Sequence, residues 1–387
     1  MTVTAPRDER DWEQFTAIEG QAFGTTRERT EEYVAAVRDD AIARFAVEDG
    51  RVIGGALAFP CHQLVGGSPV SAGAVASVCV APERRARGVG RQVVDALAAA
   101  MGDERLALAP LWPSSVAFYR GLGWEVGGHV SQFNVPAAVL RGRAPSGAAV
   151  RDPDLGEINE LRLPLAAAWT GPLVRPGWWW AWRLPHPAPD LHHRYGWREG
   201  DRLTGFVAYR HDPPADRPWG FDTWVSEFWA ATPAALTGLL DLLAADAPMC
   251  PTIHFGYGVL PDMPALVWRL PDLDLTTADT NGWMLRVLDP GAAITQSGWP
   301  PDAAGMLGLQ IGHADPLTVE FAAGAAQVTA GADQPVQVSE GAFAAWFSGA
   351  LRAGDAARYG LLIGTPDAVA FMDALAAGRR PWLPDGF

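Results

Sequence analysis

Lysine is absent from the chain of 387 residues, so all 30 basic residues are arginines. That absence excludes Schiff-base and pyridoxal-phosphate lysines, the P-loop lysine and the kinase lysine together. Positive charge is also in deficit. The net charge of −14 argues against a polyanion binder, because a phosphate backbone needs a basic footprint. No nucleic-acid partner is expected; a neutral or cationic partner fits better, unless the acidity only keeps the protein soluble. Cysteine is scarce: Cys61, Cys79 and Cys250 are odd in number and form no CxxC pair. Neither a disulfide framework nor a thiolate zinc site is expected, and no metal is expected elsewhere. No run approaches the roughly 18 apolar residues of a spanning helix. The first fifteen residues lack the basic and apolar regions of a signal peptide. The expectation is a cytoplasmic protein without a membrane partner.

What is present is a folded chain with ample core. Hydrophobic residues make up 49%, and the length suggests two or three domains at roughly 150 residues each. Trp12, Phe15, Ile18 and Phe23 mark a helix, and Arg29 to Val37 a second. Residues 44–59 read as two strands joined at Asp49-Gly50, a hairpin signal. Ala72 to Val80 is a further strand, Gln92 to Met101 a helix, and Leu106 to Leu111 a strand. Ser114 to Gly121 is a short helix and Trp124 to Val130 a closing strand. After a polar, turn-rich stretch at 141–147 the order repeats faintly. A helix spans Leu155 to Trp169, and strands cover Arg202 to Tyr209 and Asp222 to Trp229. Thr232 and Pro233 then start a helix, and Ile253 to Tyr257 and Trp283 to Val287 are further strand candidates. The last hundred residues alternate again. Strands fall at 317–321, 325–330 and 336–338, and helices at 341–351 and 366–375.

The informative stretch runs from Val78 to Val94. A β-branched strand enters a turn carrying Arg84, Arg85, Arg87 and Arg91, with Gly88 and Gly90 one residue apart, and then a helix. Glycines let the backbone approach a ligand, a helix N-terminus offers free N–H groups to an anion, and arginines add charge-assisted bonds. In an acidic protein, that combination predicts a phosphate site.

Arg85-Ala86-Arg87-Gly88-Val89-Gly90 resembles the Gln/Arg-x-x-Gly-x-Gly/Ala motif of the GNAT N-acetyltransferases, which hold the pyrophosphate of acetyl-CoA. The resemblance implies that Arg85, Ala86, Arg87, Gly88, Val89, Gly90 and Arg91 bind the coenzyme, with acetyl-CoA as cosubstrate. It also implies that Val78 and Val80 pair with the pantetheine arm, with Cys79 between them. Residues 106–124 resemble the family's next strand, helix and Phe-Tyr-x-x-Leu-Gly-Trp turn. This places Ser114 near the coenzyme and makes Tyr119 the acid for the leaving sulfur.

The whole-chain layout resembles the Eis-like (enhanced intracellular survival) members. It implies a mixed α/β (α+β) chain of tandem acetyltransferase domains followed by a sterol-carrier-protein-like domain. The limits expected are 1–145, a degenerate second domain at 146–285, and 286–387. The resemblance further implies a homo-oligomer, a hexamer, and acetylation of small-molecule amines, aminoglycoside antibiotics first. Polyamines, peptides, secondary metabolites and a non-catalytic acyl-CoA- or lipid-binding role are the alternatives. Members of this group use their terminal carboxylate, here that of Phe387, to take the ammonium proton or to hold the cation.

Phe23, Tyr33, Val37, Cys61 and His62 are candidates for the amine pocket by the same resemblance. Cys61 and His62 do not form a nucleophile pair, because neighbours on a strand face opposite ways. His192-His193 lacks metal-ligand spacing. The Trp178-Trp179-Trp180 run reads first as domain packing and second as a stacking surface.

Overall fold

The computed structural model describes residues 1–183, 192–214, 217–261, 266–272 and 274–387. The first unit begins with Thr2–Thr4 (β1), Glu9–Phe23 (α1) and Arg27–Val37 (α2). Asp8 caps α1 through the Asp11 amide, and Gly24 closes it with a left-handed turn. Ile42–Glu48 (β2), Arg51–Val65 (β3) and Ser68–Val80 (β4) form a meander, followed by Val89–Asp103 (α3), Leu108–Leu111 (β5), Val116–Arg120 (α4) and Glu125–Pro136 (β6). The period-2 alternation of the strands divides two cores. Phe45, Leu57 and Cys79 face α1 and α2 with Phe15 and Val34, whereas Ala46, Ala58 and Val75 face α3 with Val93 and Leu97.

The second unit contains Ala148–Arg151 (β7), Leu155–Ala166 (α5), Leu173–Val174 (β8), Gly177–Arg183 (α6), His192–Glu199 (β9), Arg202–Asp212 (β10), Asp222–Ala230 (β11), Pro233–Leu243 (α7), Thr252–Phe255 (β12) and Thr276–Val287 (β13). The third contains Pro290–Gln296 (α8), Gly305–Ile311 (β14), Leu317–Ala322 (β15), Ala325–Ala330 (β16), Val336–Val338 (β17), Glu340–Ser348 (α9), Ala353–Arg358 (α10), Leu362–Ile363 (β18) and Pro366–Ala376 (α11). Its strands form a separate sheet in the order β16-β15-β14-β17-β18. Trp299, Phe321, Trp346 and Phe347 occupy its interior, with the buried Arg379 guanidinium 4.1 Å from the Trp299 ring.

The first two units share one sheet, because a strand is exchanged. Trp124 to Val130 does not close the first sheet against β5 as the sequence suggests. Instead β13 lies between them, pairing Met284 with Leu111 of β5 and with Val126 of β6. β6 then continues into the second unit through Ile253 of β12, opposite Val135. The sequence of β13 carries the reason. Trp283 and Leu285 enter the α1-side core and Met284 the α3-side core, the apolar run of a strand buried on both faces. β9 has no apolar alternation and is not legible locally, whereas the seven-residue β14 turns Leu307, Leu309 and Ile311 inward, a strand pattern missed above. The α5 helix ends at Ala166, short of the expected Trp169.

A fragment of residues 1–145 lacks β13 and leaves β5 and the twelve-residue β6 with unpaired edges. It is expected to aggregate without a cooperative thermal transition. A monomeric fragment melting cooperatively would show the exchange to be dispensable.

Candidate active site

The α1-side and α3-side cores meet at a break in β4. Its parallel pairing with β5 ends at Val75–Leu111, and Ser77 takes a left-handed conformation with φ of 51°. Beyond it Cys79 and Val80 pair with Gly55 and Gly54 of β3 on one edge only. The other edge, along Val78, Cys79 and Val80, has no strand partner among the described residues. Backbone N–H and C=O groups require partners when covered, so this open edge is a ready slot for an amide-bearing chain such as pantetheine.

The basic turn follows at once. Ala86 and Gly88 adopt φ of 58° and 79°, left-handed conformations of the kind from which an anion nest is built. Gly88 is the N-cap of α3 and provides no side-chain cap, so the first amides of the helix, at Val89, Gly90 and Arg91, stay open to an anion. The arginines divide their tasks. Arg85 bonds the Val80 carbonyl through Nε at 3.1 Å, and Arg91 bonds the Gly121 carbonyl at 2.8 Å, tying the turn to α4. Arg84, expected at the phosphate, is instead drawn to Glu48 at 2.7 Å. Arg87 is exposed beside the nest, as is Ser114 before α4.

Tyr119 lies on α4, which Ser115 caps through the Phe118 amide. It is buried on the α3 side, where desolvation raises its phenol to about 12. Trp124 fixes the following turn by donating Nε1 to the Ala109 carbonyl at 2.7 Å. On the other side, Cys61 and Cys79 are buried thiols whose desolvation pushes both to about 12. His62 faces solvent while Cys61 faces the core. Val37 is fully buried and Phe23 is exposed. Tyr33 meets the Ser77 hydroxyl at 3.1 Å.

The C-terminal segment is docked by contacts that no local pattern announces. The Asp385 carboxylate, fully buried, accepts from Arg175 Nε and the Leu173 amide at 2.7 Å and from Arg162 at 3.1 Å. Arg175 continues to Glu227 at 2.6 Å, which accepts from Trp229. Two further indoles hold the tail backbone: Trp112, just beyond β5, donates to the Asp385 carbonyl, and Trp179 donates to that of Gly386, each at 3.0 Å. The tail passes Gly171, where a Cβ would come within 2.3 Å of the Trp382 carbonyl. Phe387 is half-buried and packs on the core that contains Phe59 and Trp178. The tryptophan run is thus a packing surface and a tail anchor; the Trp182 side chain lies outside the described residues.

The sequence matches an acetyltransferase (GNAT) domain over residues 5–127, another over 171–287 and a sterol carrier protein domain over 291–384. The chain belongs to the GNAT acetyltransferases. It is an acyltransferase of the Eis-like layout, and GNAT domains use acetyl-CoA as cosubstrate. Its fold is that of a GCN5-related N-acetyltransferase from Anabaena variabilis, at 20% identity and a TM-score of 0.92 over all of both chains. A GCN5-related N-acetyltransferase from Kribbella flavida is 24% identical, with a TM-score of 0.84 over 100% of this chain and 98% of that one. Eis1 from Mycobacterium abscessus is 20% identical, with a TM-score of 0.80 over the whole of both. No curated protein matches the sequence.

In this GNAT protein the sequence singles out the nest and Tyr119 but misses Arg162, Arg175 and Glu227. An Asp two places from the terminus and two arginines in apolar stretches were the only signals. Among the described residues no helix is long and apolar enough to cross a membrane, and no three His, Cys, Asp or Glu residues group as metal ligands.

Two predictions follow from burial. Asp385→Asn leaves two buried guanidiniums facing one remaining carboxylate, and breaking such a network costs about 3–5 kcal/mol. The urea midpoint should fall accordingly; an unchanged midpoint refutes the clamp. Thiols raised to about 12 remain protonated at mildly alkaline pH, so native Cys61 and Cys79 should resist iodoacetamide until the protein unfolds. Peptide mapping after alkylation reads this directly.

Proposed function

We propose that this protein transfers the acetyl group of acetyl-CoA to a primary amine of a cationic small molecule, with aminoglycoside-type antibiotics as the first class. Polyamines, peptides and secondary-metabolite amines are the other members of the same chemical class. The observation that carries the reading is the docking of a carboxylate-bearing tail beside the end of β5, where β4 and β5 part.

In this reading Val78, Cys79 and Val80 hold the pantetheine arm along the open strand edge, and the nest from Arg85 to Arg91 holds the pyrophosphate, with Ser114 at its border. The Tyr119 phenol protonates the departing sulfur, since its raised pKa stays above the roughly 8.5 of a thiol. The Phe387 carboxylate takes the ammonium proton, directly or through water, or holds the substrate cation. The net charge of −14 favours approach of a cation. The domain limits 1–145, 146–285 and 286–387, a homo-hexamer and a cytoplasmic location belong to the same proposal.

The test is coenzyme A release from acetyl-CoA against a panel of amines. Tyr119→Phe should lower kcat by about 10²-fold or more, the usual loss on removing a general acid, with little change in the KM for the amine. Deleting Phe387 should raise that KM. Acetyl-CoA binding without turnover of any amine would defeat the enzyme reading and favour a binding role.

A further inference from the structure

The second unit holds a cavity that neither the phosphate turn nor the docking of the tail accounts for. It opens between α5, β11 and α7 and has a volume of about 580 Å³. Leu165 of α5 and Leu236 of α7 are half-buried on its walls, whereas Trp229 and Trp382 are buried. The two tryptophans, with ring centroids 5.3 Å apart, therefore close its inner end. Hollows of roughly 300–1,000 Å³ with apolar walls and few polar groups are the ordinary form of small-molecule sites.

Charge selects the occupant. Arg269 is the one charged residue on this lining among the described residues. It donates Nη2 to the Thr237 hydroxyl of α7 at 2.7 Å and joins no ion pair among the described residues. Its other N–H groups are left for a carboxylate, which a guanidinium meets with charge-assisted bonds. The side toward Ala231 repels an anion. Ala231, Pro164 and Leu165 are shared with a second hollow, where Glu157, Glu160, Glu199 and Asp201 outnumber Arg202. A carboxylate head is thus directed to Arg269 and an apolar chain to the tryptophans.

The inner end is also the back of the tail anchor. Trp229 donates Nε1 to Glu227 at 2.7 Å, Glu227 holds Arg175, and Arg175 holds Asp385. Trp382 belongs to the tail itself and donates Nε1 to the Gly258 carbonyl at 2.8 Å. A chain seated on both rings has its full contacts only while the tail is docked. By mass action the ligand then stabilises the docked tail, and the docked tail raises the affinity for the ligand.

We infer that this cavity binds a free fatty acid, with its carboxylate on Arg269 and its chain against Trp229 and Trp382, and that its occupancy is linked to docking of the tail. The inference is independent of the acetyl-transfer reading.

The test is calorimetric titration of the full-length protein with decanoate below its micelle concentration, and with decan-1-ol as the uncharged counterpart. The wild type should bind decanoate saturably, one to one, and more tightly than the alcohol. Arg269→Gln should weaken decanoate about tenfold or more, the loss of a charged hydrogen bond, and leave the alcohol unchanged. Leu236→Trp fills the cavity from the α7 wall and should abolish binding of both. Asp385→Asn, held at a temperature where circular dichroism shows it folded, should weaken both probes and keep the preference for the acid. No saturable binding by the wild type overturns the site, as does binding that Arg269→Gln and Leu236→Trp both leave unchanged. Equal weakening of acid and alcohol in Arg269→Gln overturns the fatty-acid assignment. A smaller oligomer in Leu236→Trp, with no decanoate bound by the wild type, gives the face to a second copy of the chain instead. Unchanged affinity in Asp385→Asn overturns the link to the tail.

Discussion

The site depends on a carboxylate removed from water. Asp385 is fully buried between Arg162 and Arg175, and an ion buried without partners would cost several kcal/mol. The partners come from α5 and from the residue after β8, and Glu227 on β11 neutralises the second arginine. Desolvation lowers the Arg162 guanidinium to about 10, still well above neutrality, so the group keeps its charge. The quartet is electrically balanced, two arginines against two carboxylates. The direction and depth of the last residues follow from it, with the indoles of Trp112 and Trp179 fixing the backbone on either side.

This gives the second acetyltransferase domain a physical role although it lacks the phosphate turn. In the first domain a long turn separates β4 from α3, and Gly88 leaves the helix N-terminus uncapped. In the second, only two residues separate β11 from α7, and the Thr232 hydroxyl caps the Ala235 amide. A helix end that satisfies its own donors has little to offer a pyrophosphate. That domain supplies β13 to the first sheet instead, and Arg162, Arg175, Trp179 and Glu227 to the tail.

Much of the fold was legible because its signals are local. The α1 and α3 periods, the Asp49-Gly50 hairpin, the Thr232-Pro233 helix start and the Ala86–Gly90 turn each depend on neighbours in sequence. The strand exchange was not legible, since the alternation of Trp283, Met284 and Leu285 says that both faces are buried but not between which strands. Arg84 illustrates the same limit. Its place in a basic turn suggested phosphate, yet Glu48, on a neighbouring strand, captures it.

From the sequence alone came the acetyltransferase loop, the tyrosine turn and the exclusion of lysine and thiolate-metal chemistry, because composition and short-range spacing suffice for these. Only the tertiary structure decided what holds the tail and what meets the break in β4. Asp385 meets Arg162 across 223 positions and Tyr33 meets Ser77 across 44. Contacts at that separation leave no periodic trace in a single chain; they exist only once burial makes each charge seek a partner.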